Sequence, residues 1–591
     1  MKQFLKFFLA STFGVVAGFL LLIFLLVGIV SGIASKATVD KDLEVKPNSV
    51  LKIALNYPIP ERASQDPFAN FSFSDFEPKK TPGLYEIRKA IKRAKSDDNI
   101  KGIYIESATI MAGSATLESI REALLDFKES GKFIFAYEEV LTQRGYHLSS
   151  VSDRIFLNPV GLLEFKGYRT ELAFFKHALE KLEIEPQIFY AGKYKSATEP
   201  FRLDSMSDAN REQITFLIND LYGRFIADIA EGRDLSPVLL DSIADNLLVK
   251  FPEEAKAYKM VDELAYYDQV QEYLKSELGL DEADELEMVS LRKYAFNKKT
   301  DAEKLLEKDK IAVLFAQGGI VDGDGEIDDI GSARYLKAIQ KIRNDEDVKA
   351  LVLRVNSGGG SALASDIILR ELEMANERMP VIVSMGDVAA SGGYYIACGA
   401  DTILAEANTI TGSIGVFGIL PNVQGLMNNK FGITFDKVQT GKYSDIGTLT
   451  RPMRADEKEI IQSGVDRVYL TFKERVSEGR GMDISYVDSV GQGRVWTGVQ
   501  AKELGLVDVL GGLDEAIAIA VHKAGIESYK IKEYPEVKDL REQLMKSLTG
   551  EIKLRIFKTL AGEQYEYFAK INALKKWQGV QARMPFEIEI Y

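Results

Sequence analysis

Hydrophobic positions fall into two patterns along this chain. The first is one unbroken apolar run, "FFLASTFGVVAGFLLLIFLLVGIVSGIAS" at 7–35, with lysines at 2 and 6 before it and Lys36 as the next charge. That run exceeds the roughly 20 residues that span a bilayer. It also exceeds the core of about 7–15 residues of a cleaved leader. The expectation is one retained N-terminal transmembrane helix, with the leading lysines on the cytoplasmic side and the body exported. The second pattern fills the rest of the chain. Short Val/Ile/Leu runs of strand length alternate with segments of helical periodicity. "VKALVLRVNSGGGSALASDIILRELEMANE" reads as strand, glycine loop, helix, and "PVIVSMGDVAASGGYYIACGAD" as strand, turn, helix. Such alternation predicts an α/β fold with parallel strands.

The second pattern occurs twice, in the same order. "LKIALNYPI" matches "DKIAVLFAQ", and "DDNIKGIYIES" matches "DEDVKALVLRVNS". "GKFIFAYEEVLTQRGYHLSSVSDRIFLNP" matches "MPVIVSMGDVAASGGYYIACGADTILAEA", and "AGKYKSATEPF" matches "TGKYSDIGTLT". "YGRFIADIAEGRDL" matches "YLTFKERVSEGRGM", and "AYKMVDEL" matches "ELGLVDVL". This is an internal duplication with a repeat of about 250 residues. The expected organisation is an anchor and linker at 1–46, a first repeat domain at 47–295, a charged connector at 296–308, a second repeat domain at 309–525, and a tail at 526–591. Residues 60–83 lack periodicity and read as a long loop. The tail segment "DLREQLMKSLTGEIKLRIFKTLAG" has amphipathic helical spacing, suited to packing on the body, to assembly or to a membrane surface.

Composition narrows the partners. The 591 residues carry 74 basic and 88 acidic side chains, a net charge of −14, which argues against a general nucleic-acid binder. A single cysteine, Cys398, excludes an intramolecular disulfide framework and a thiolate zinc cluster.

Two glycine-rich turns carry candidate chemistry. "NSGGGS" at 356–361 follows a strand and opens a helix, so its backbone N–H groups suit an anion, or simply a tight turn. It lacks the lysine of a P-loop and the spacing of a dinucleotide fingerprint. In "GDVAASGGYYIACGAD", Ser391 precedes Gly392 and Gly393. A nucleophile on such a turn can use the next residue's N–H, and one from a neighbouring loop, to hold an oxyanion. The bland alternative is a small-residue packing contact. A base is the deciding question. Only His147, His177 and His522 are available, none beside an obvious Asp partner, which disfavours a Ser-His-Asp triad. A lysine serves if burial lowers its pKa towards neutrality. The repeats suggest which one. Ser391 aligns with Gln143 in the first repeat, and Lys195 aligns with Ser444 in the second. Each half holds what the other lacks, so a composite site pairs Ser391 with Lys195.

Together, "GKYKSATEPF", "RVNSGGGS", "GDVAASGGYYIA" and "TGSIGV", with the anchor and the duplication, resemble the signal peptide peptidase A family in its long, tandem bacterial form. The resemblance covers nearly the whole chain. It implies two tandem Clp/crotonase-like domains and a membrane-anchored serine endopeptidase that degrades cleaved signal peptides and other short hydrophobic peptides. It places the nucleophile on Ser391, the general base on Lys195, oxyanion N–H groups on Gly392 and Gly359, and a lysine-orienting hydroxyl on Ser413. It implies a homotetramer at the bacterial inner membrane with its catalytic body in the periplasm, and no cofactor or metal. Gly358 stands where the family loop usually has proline, which should loosen that loop. "GGYYIA" is expected to line part of an apolar groove. The alternatives are a catalytically silent membrane scaffold and an acyl-thioester enzyme of the same fold.

Overall fold

The structure, a computed structural model, describes residues 44–63, 80–297, 307–536 and 580–584, the short pieces 71–72 and 77–78, and a few isolated positions before residue 19. The membrane-spanning expectation for the N-terminal run and the helical expectation for 539–562 lie outside the described residues. No helix among the described residues is long and apolar enough to cross a membrane.

Each repeat folds around a parallel sheet. In the first, six strands lie in the order Glu263–Leu264, Arg154–Leu163, Phe133–Leu141, Ile100–Ile105, Ser49–Ile53, Met288–Ser290. In the second, the path runs Val495–Thr497, Ile410–Gly412, Val381–Ala390, Val348–Ser357, Lys310–Gln317, Lys530–Tyr534, and Thr402–Ala405 branches from Val381–Ala390. All pairings are parallel except that of Val495–Thr497. This sheet therefore continues past residue 525, through Lys530–Tyr534 paired with Lys310–Gln317.

The continuous apolar strands follow from burial on both faces. Ala312, Leu314 and Ala316 pack under the helices Ser332–Asn344 and Ala362–Asn376. Ile311, Val313 and Phe315 face Leu513, Ala516, Ile517 and Ala520 of the helix Leu513–Ala524. In the first repeat, Ile87, Ala90, Ile91 and Ala94 line the buried stripe of the helix Leu84–Ser96. The two longest helices among the described residues are also repeat partners. Asp208–Arg233 and Ala455–Arg480 both have 26 residues, and both end on a left-handed cap, Asp234 (φ 51°) and Gly481 (φ 62°). The aligned "EGRD" and "EGRG" place these caps at equivalent positions, where a left-handed residue closes the last turn.

A third sheet joins the halves. Its order is Ile330–Gly331, Ile320–Val321, Gly359–Ser361, Gln581–Arg583, Val416–Asn422, Glu185–Ala191. Glu185–Ala191 of the first repeat runs antiparallel along Val416–Asn422 of the second, from Val416 opposite Ala191 to Asn422 opposite Glu185. Buried and half-buried polar contacts clamp the halves further. Arg354 Nε donates to Glu61 Oε2 (2.7 Å), Asn356 Nδ2 donates to Glu61 Oε1 (2.7 Å), and the Thr116 hydroxyl donates to Asp387 Oδ2 (2.6 Å). Glu61 sits in the segment that reads as a loop without periodicity, yet it is 2% exposed and anchors one side of that clamp.

Candidate active site

Ser391 lies where the strand Val381–Ala390 ends and the four-residue helix Gly392–Tyr395 begins. Its backbone is left-handed, φ 55° and ψ −115°, which is costly for a residue with a Cβ. The bend is held by the Ser391 N–H donating to the Gly412 carbonyl (2.8 Å) and by the Tyr395 N–H donating to the Ser391 carbonyl (2.8 Å). Asn356 of the glycine loop steadies the same strand, accepting at Oδ1 from the Val388 N–H (3.2 Å).

Lys195 comes from the other repeat. The strand Glu185–Ala191 carries the chain across the third sheet, and the loop after it turns back against Gln492 and Gly493. The Tyr194 N–H donates to the Gln492 carbonyl (2.8 Å). This approach needs glycine. A Cβ on Gly493 (φ +77°) would stand 2.7 Å from both Cβ and N of Lys195. Gln213 secures the loop from behind, donating to the Tyr194 carbonyl and to Ser196 Oγ, both at 3.0 Å.

The two side chains meet. Lys195 Nζ is 2.9 Å from Ser391 Oγ, 3.0 Å from Ser413 Oγ and 3.1 Å from the Ser413 carbonyl. Lys195 is 1% exposed and both serines are fully buried. Burial holds the Lys195 amine well below the usual lysine range, and no carboxylate opposes that effect. A neutral amine has two N–H donors and one lone pair. The Ser413 carbonyl can only accept, so it takes one N–H. The Ser413 hydroxyl points to the Gly493 carbonyl (3.4 Å), leaving its oxygen to accept the other. The lone pair is then directed at the Ser391 hydroxyl. That arrangement can remove a proton from Ser391.

Ser413 itself is left-handed (φ 50°), held by its N–H donating to the Arg494 carbonyl (2.7 Å). Gly392 opens its short helix, whose first N–H groups have no intrahelical partner. Gly359 differs from expectation. The resemblance assigns it an oxyanion N–H, but that N–H donates to Ser357 Oγ (3.1 Å). What Gly359 supplies is space, because at φ +91° a Cβ would run into the Gly392 nitrogen at 2.5 Å.

The aligned positions in the two repeats have different surroundings. Gln143 is a buried lock, accepting from the Lys166 and Gly167 N–H groups at 2.8 and 2.9 Å. Ser444 sits exposed in a turn. The histidines stand apart. Buried His147 is bonded to half-buried Asp228 (2.7 Å) and packs on Phe225, an Asp–His pair that the sequence did not reveal. His177 and His522 are exposed. The "GGYYIA" expectation is overturned. Tyr394 and Tyr395 are core residues, bonded to the Leu506 carbonyl and to Asp366, so they do not line a groove. Cys398 is buried and its thiol is pushed up to about 12, which leaves it unreactive. Among the described residues, no group of acidic, histidine or cysteine side chains could hold a metal ion.

Sequence reasoning missed two contributors. The clamp residue Glu61 had no local signal. The segment 580–584, which lies against the glycine loop, was read only as part of a tail.

The model of peptidase family S49 matches residues 126–281 and 373–527. Protease 4 of Salmonella typhi is 35% identical over 479 residues, 80% of this chain and 76% of that protein. The chloroplastic serine protease SPPA of Arabidopsis thaliana is 32% identical over 506 residues, 85% of this chain and 74% of that protein. Protease 4 of Haemophilus influenzae is 33% identical over 446 residues, 73% of this chain and 72% of that protein. With a match to each of its repeats, and with relatives of this similarity across most of its length, the chain belongs to peptidase family S49, as a serine protease of the tandem, duplicated form.

Proposed function

We propose that Ser391 is the nucleophile of this peptidase, that Lys195 of the other repeat is its general base, and that the enzyme degrades cleaved signal peptides and other short hydrophobic peptides beside a membrane. One observation carries the reading: a buried amine with no acidic partner among the described residues lies 2.9 Å from the hydroxyl of a strained serine. Neutral Lys195 takes the proton as Ser391 Oγ adds to the peptide carbonyl. The oxyanion forms against the Gly392 N–H, at a helix start where negative charge is favoured. The ammonium protonates the leaving amine, and a water activated by the same lysine releases the acyl group. Ser413 holds the amine in register throughout. A silent scaffold has no use for an uncompensated buried amine, which costs stability.

Membrane attachment rests on the apolar run at 7–35, with its leading lysines. A tetramer at the bacterial inner membrane, with the catalytic body on the periplasmic side, accords with the family resemblance and would keep the site near peptides released from the bilayer. The test is labelling with a serine-directed fluorophosphonate alongside hydrolysis of a fluorogenic apolar peptide. Wild type is expected to label and cleave, and Ser391→Ala and Lys195→Ala to lose both. Unchanged cleavage in Lys195→Ala refutes the dyad.

A further inference from the structure

One buried glutamine touches both halves of the candidate site. Gln213 lies on the helix Asp208–Arg233 of the first repeat and is 1% exposed. Its two Nε2–H groups serve three oxygens: the Tyr194 carbonyl (3.0 Å), Ser196 Oγ (3.0 Å) and Asn210 Oδ1 (3.1 Å). The first two flank Lys195. Its Oε1 accepts from the Val495 N–H (3.4 Å), on the second repeat. The two residues before Val495 hold Ser413: the Arg494 carbonyl takes the Ser413 N–H, and the Gly493 carbonyl takes its hydroxyl. A single side-chain amide thus spans from the lysine loop of one repeat to the Ser413 support of the other.

The amide can do this in one orientation only. Turned over, it would set Oε1 against the Tyr194 carbonyl and Nε2 against the Val495 N–H. The choice is made further back. Glu199, 2% exposed, accepts from the Ser207 N–H (3.2 Å), the Ser207 hydroxyl (2.6 Å) and Asn210 Nδ2 (2.9 Å), and Arg202 Nη2 lies 3.9 Å from it. A carboxylate only accepts, so Asn210 turns its Nδ2 toward Glu199 and its Oδ1 toward Gln213. That oxygen draws Nε2 of Gln213 and fixes its sense. The second repeat has no such chain. In the gap-free alignment of the two 26-residue helices, Asn210 and Gln213 correspond to Glu457 and to Ile460, which is 46% exposed. Thr448 stands at the position of Glu199. The repeat without the lysine lacks the relay as well.

We propose that Glu199, Asn210 and Gln213 are positioning residues for the reaction, a buried relay that sets the spacing between Lys195 and the segment Gly493–Val495, with its polarity imposed from Glu199. The proposal rests on the Ser391–Lys195 reading above, and it adds how two separate repeats keep such a dyad in register. Each member acts through the next, and Gln213 acts through the backbone on either side of Lys195. In a buried network of this kind, a change at one member leaves a donor or acceptor unmet at its neighbour.

The test is steady-state kinetics of the full-length protein on a fluorogenic apolar peptide, followed across pH. Gln213→Ala is expected to lower kcat on the order of 10- to 100-fold, the effect of displacing a reacting group by about 1 Å, with KM level. Its acid limb of kcat/KM is expected at higher pH, because water entering beside a loosened loop relieves the burial that holds Lys195 below the usual lysine range. Glu199→Gln keeps the size of the side chain and is expected to lower kcat about 2- to 10-fold, the worth of one hydrogen bond. The double variant is expected to be no slower than Gln213→Ala, because Glu199 acts only through Gln213. Losses that multiply in the double variant, or a raised KM at unchanged kcat, overturn the relay. Hydrogen exchange read by mass spectrometry gives an arm that needs no catalysis. Gln213→Ala is expected to speed exchange in both 192–197 and 493–496, one segment on each repeat, and unchanged exchange in both overturns the clamp. If wild type neither labels with fluorophosphonate nor hydrolyses peptide, the Ser391–Lys195 reading fails, and the exchange result still decides whether Gln213 joins the two repeats.

Discussion

Ser413→Ala probes the amine's orientation without touching the attacking atom. The hydroxyl accepts one Nζ–H at 3.0 Å, while the Ser413 carbonyl accepts the other at 3.1 Å and survives the substitution. One net hydrogen bond of about 0.5–1.5 kcal/mol is removed. At about 1.36 kcal/mol per decade, kcat falls about 2- to 10-fold. KM stays level, because Ser413 faces the lysine. The pH profile supplies the sharper readout. An ammonium depends on acceptors more than a neutral amine does, so losing one lowers the Lys195 pKa further. The acid limb of kcat/KM therefore moves to lower pH in the variant. Steady-state kinetics of the fluorogenic peptide from about pH 5 to 10 measures both effects. A higher KM with unchanged kcat, or an acid limb displaced to higher pH, refutes the assignment of Ser413 as the lysine's acceptor.

Other consequences can be checked with standard measurements. Lys195→Met is expected to raise thermal stability while abolishing hydrolysis. Burial lowers the folded-state pKa, so the unfolded chain binds more protons between that lowered value and 10.5. The wild-type deficit is full below the lowered value, shrinks as pH rises, and vanishes above 10.5, so the melting-temperature gain should shrink along the same course. Glu61→Ala strands the fully buried Arg354 and should cost about 3–5 kcal/mol in chemical denaturation. Gly493→Ala should displace the Lys195 loop and lower kcat, and it should also lower the melting temperature, because the clash is with Lys195 Cβ and backbone at a position with φ +77°. Gln143→Ser should gain no fluorophosphonate label, since Ser444 stands at the aligned lysine position of the other repeat and sits exposed in a turn; new labelling there would contradict the composite site.

How much was legible beforehand differs from element to element. The parallel strands could be read from runs such as "KIAVLFAQ", because burial on two faces leaves no room for polar alternation. The aligned "EGRD" and "EGRG" marked equivalent positions, and the structure shows that both are left-handed helix caps, at Asp234 and Gly481. The meeting of Lys195 and Ser391 was suggested by comparing the repeats and by the family resemblance, and by no local signal, since the two residues lie 196 positions apart. Tyr394 and Tyr395 were misplaced because an aromatic pair after a glycine turn has the same local appearance in a groove and in a core.

Local order along the chain determines the element types, the duplication and the pairing of a serine in one half with a lysine in the other, because periodicity and repeat alignment are one-dimensional properties. Three-dimensional packing alone decides the rest. It sets the desolvation of Lys195, the aim of its lone pair through Ser413, the engagement of the Gly359 N–H by Ser357, and the insertion of Gln581–Arg583 beside the glycine turn. Each depends on groups brought together from distant parts of the chain, and the free energy of a charge, a donor or an open strand edge is set by those neighbours and not by the residues adjacent in sequence.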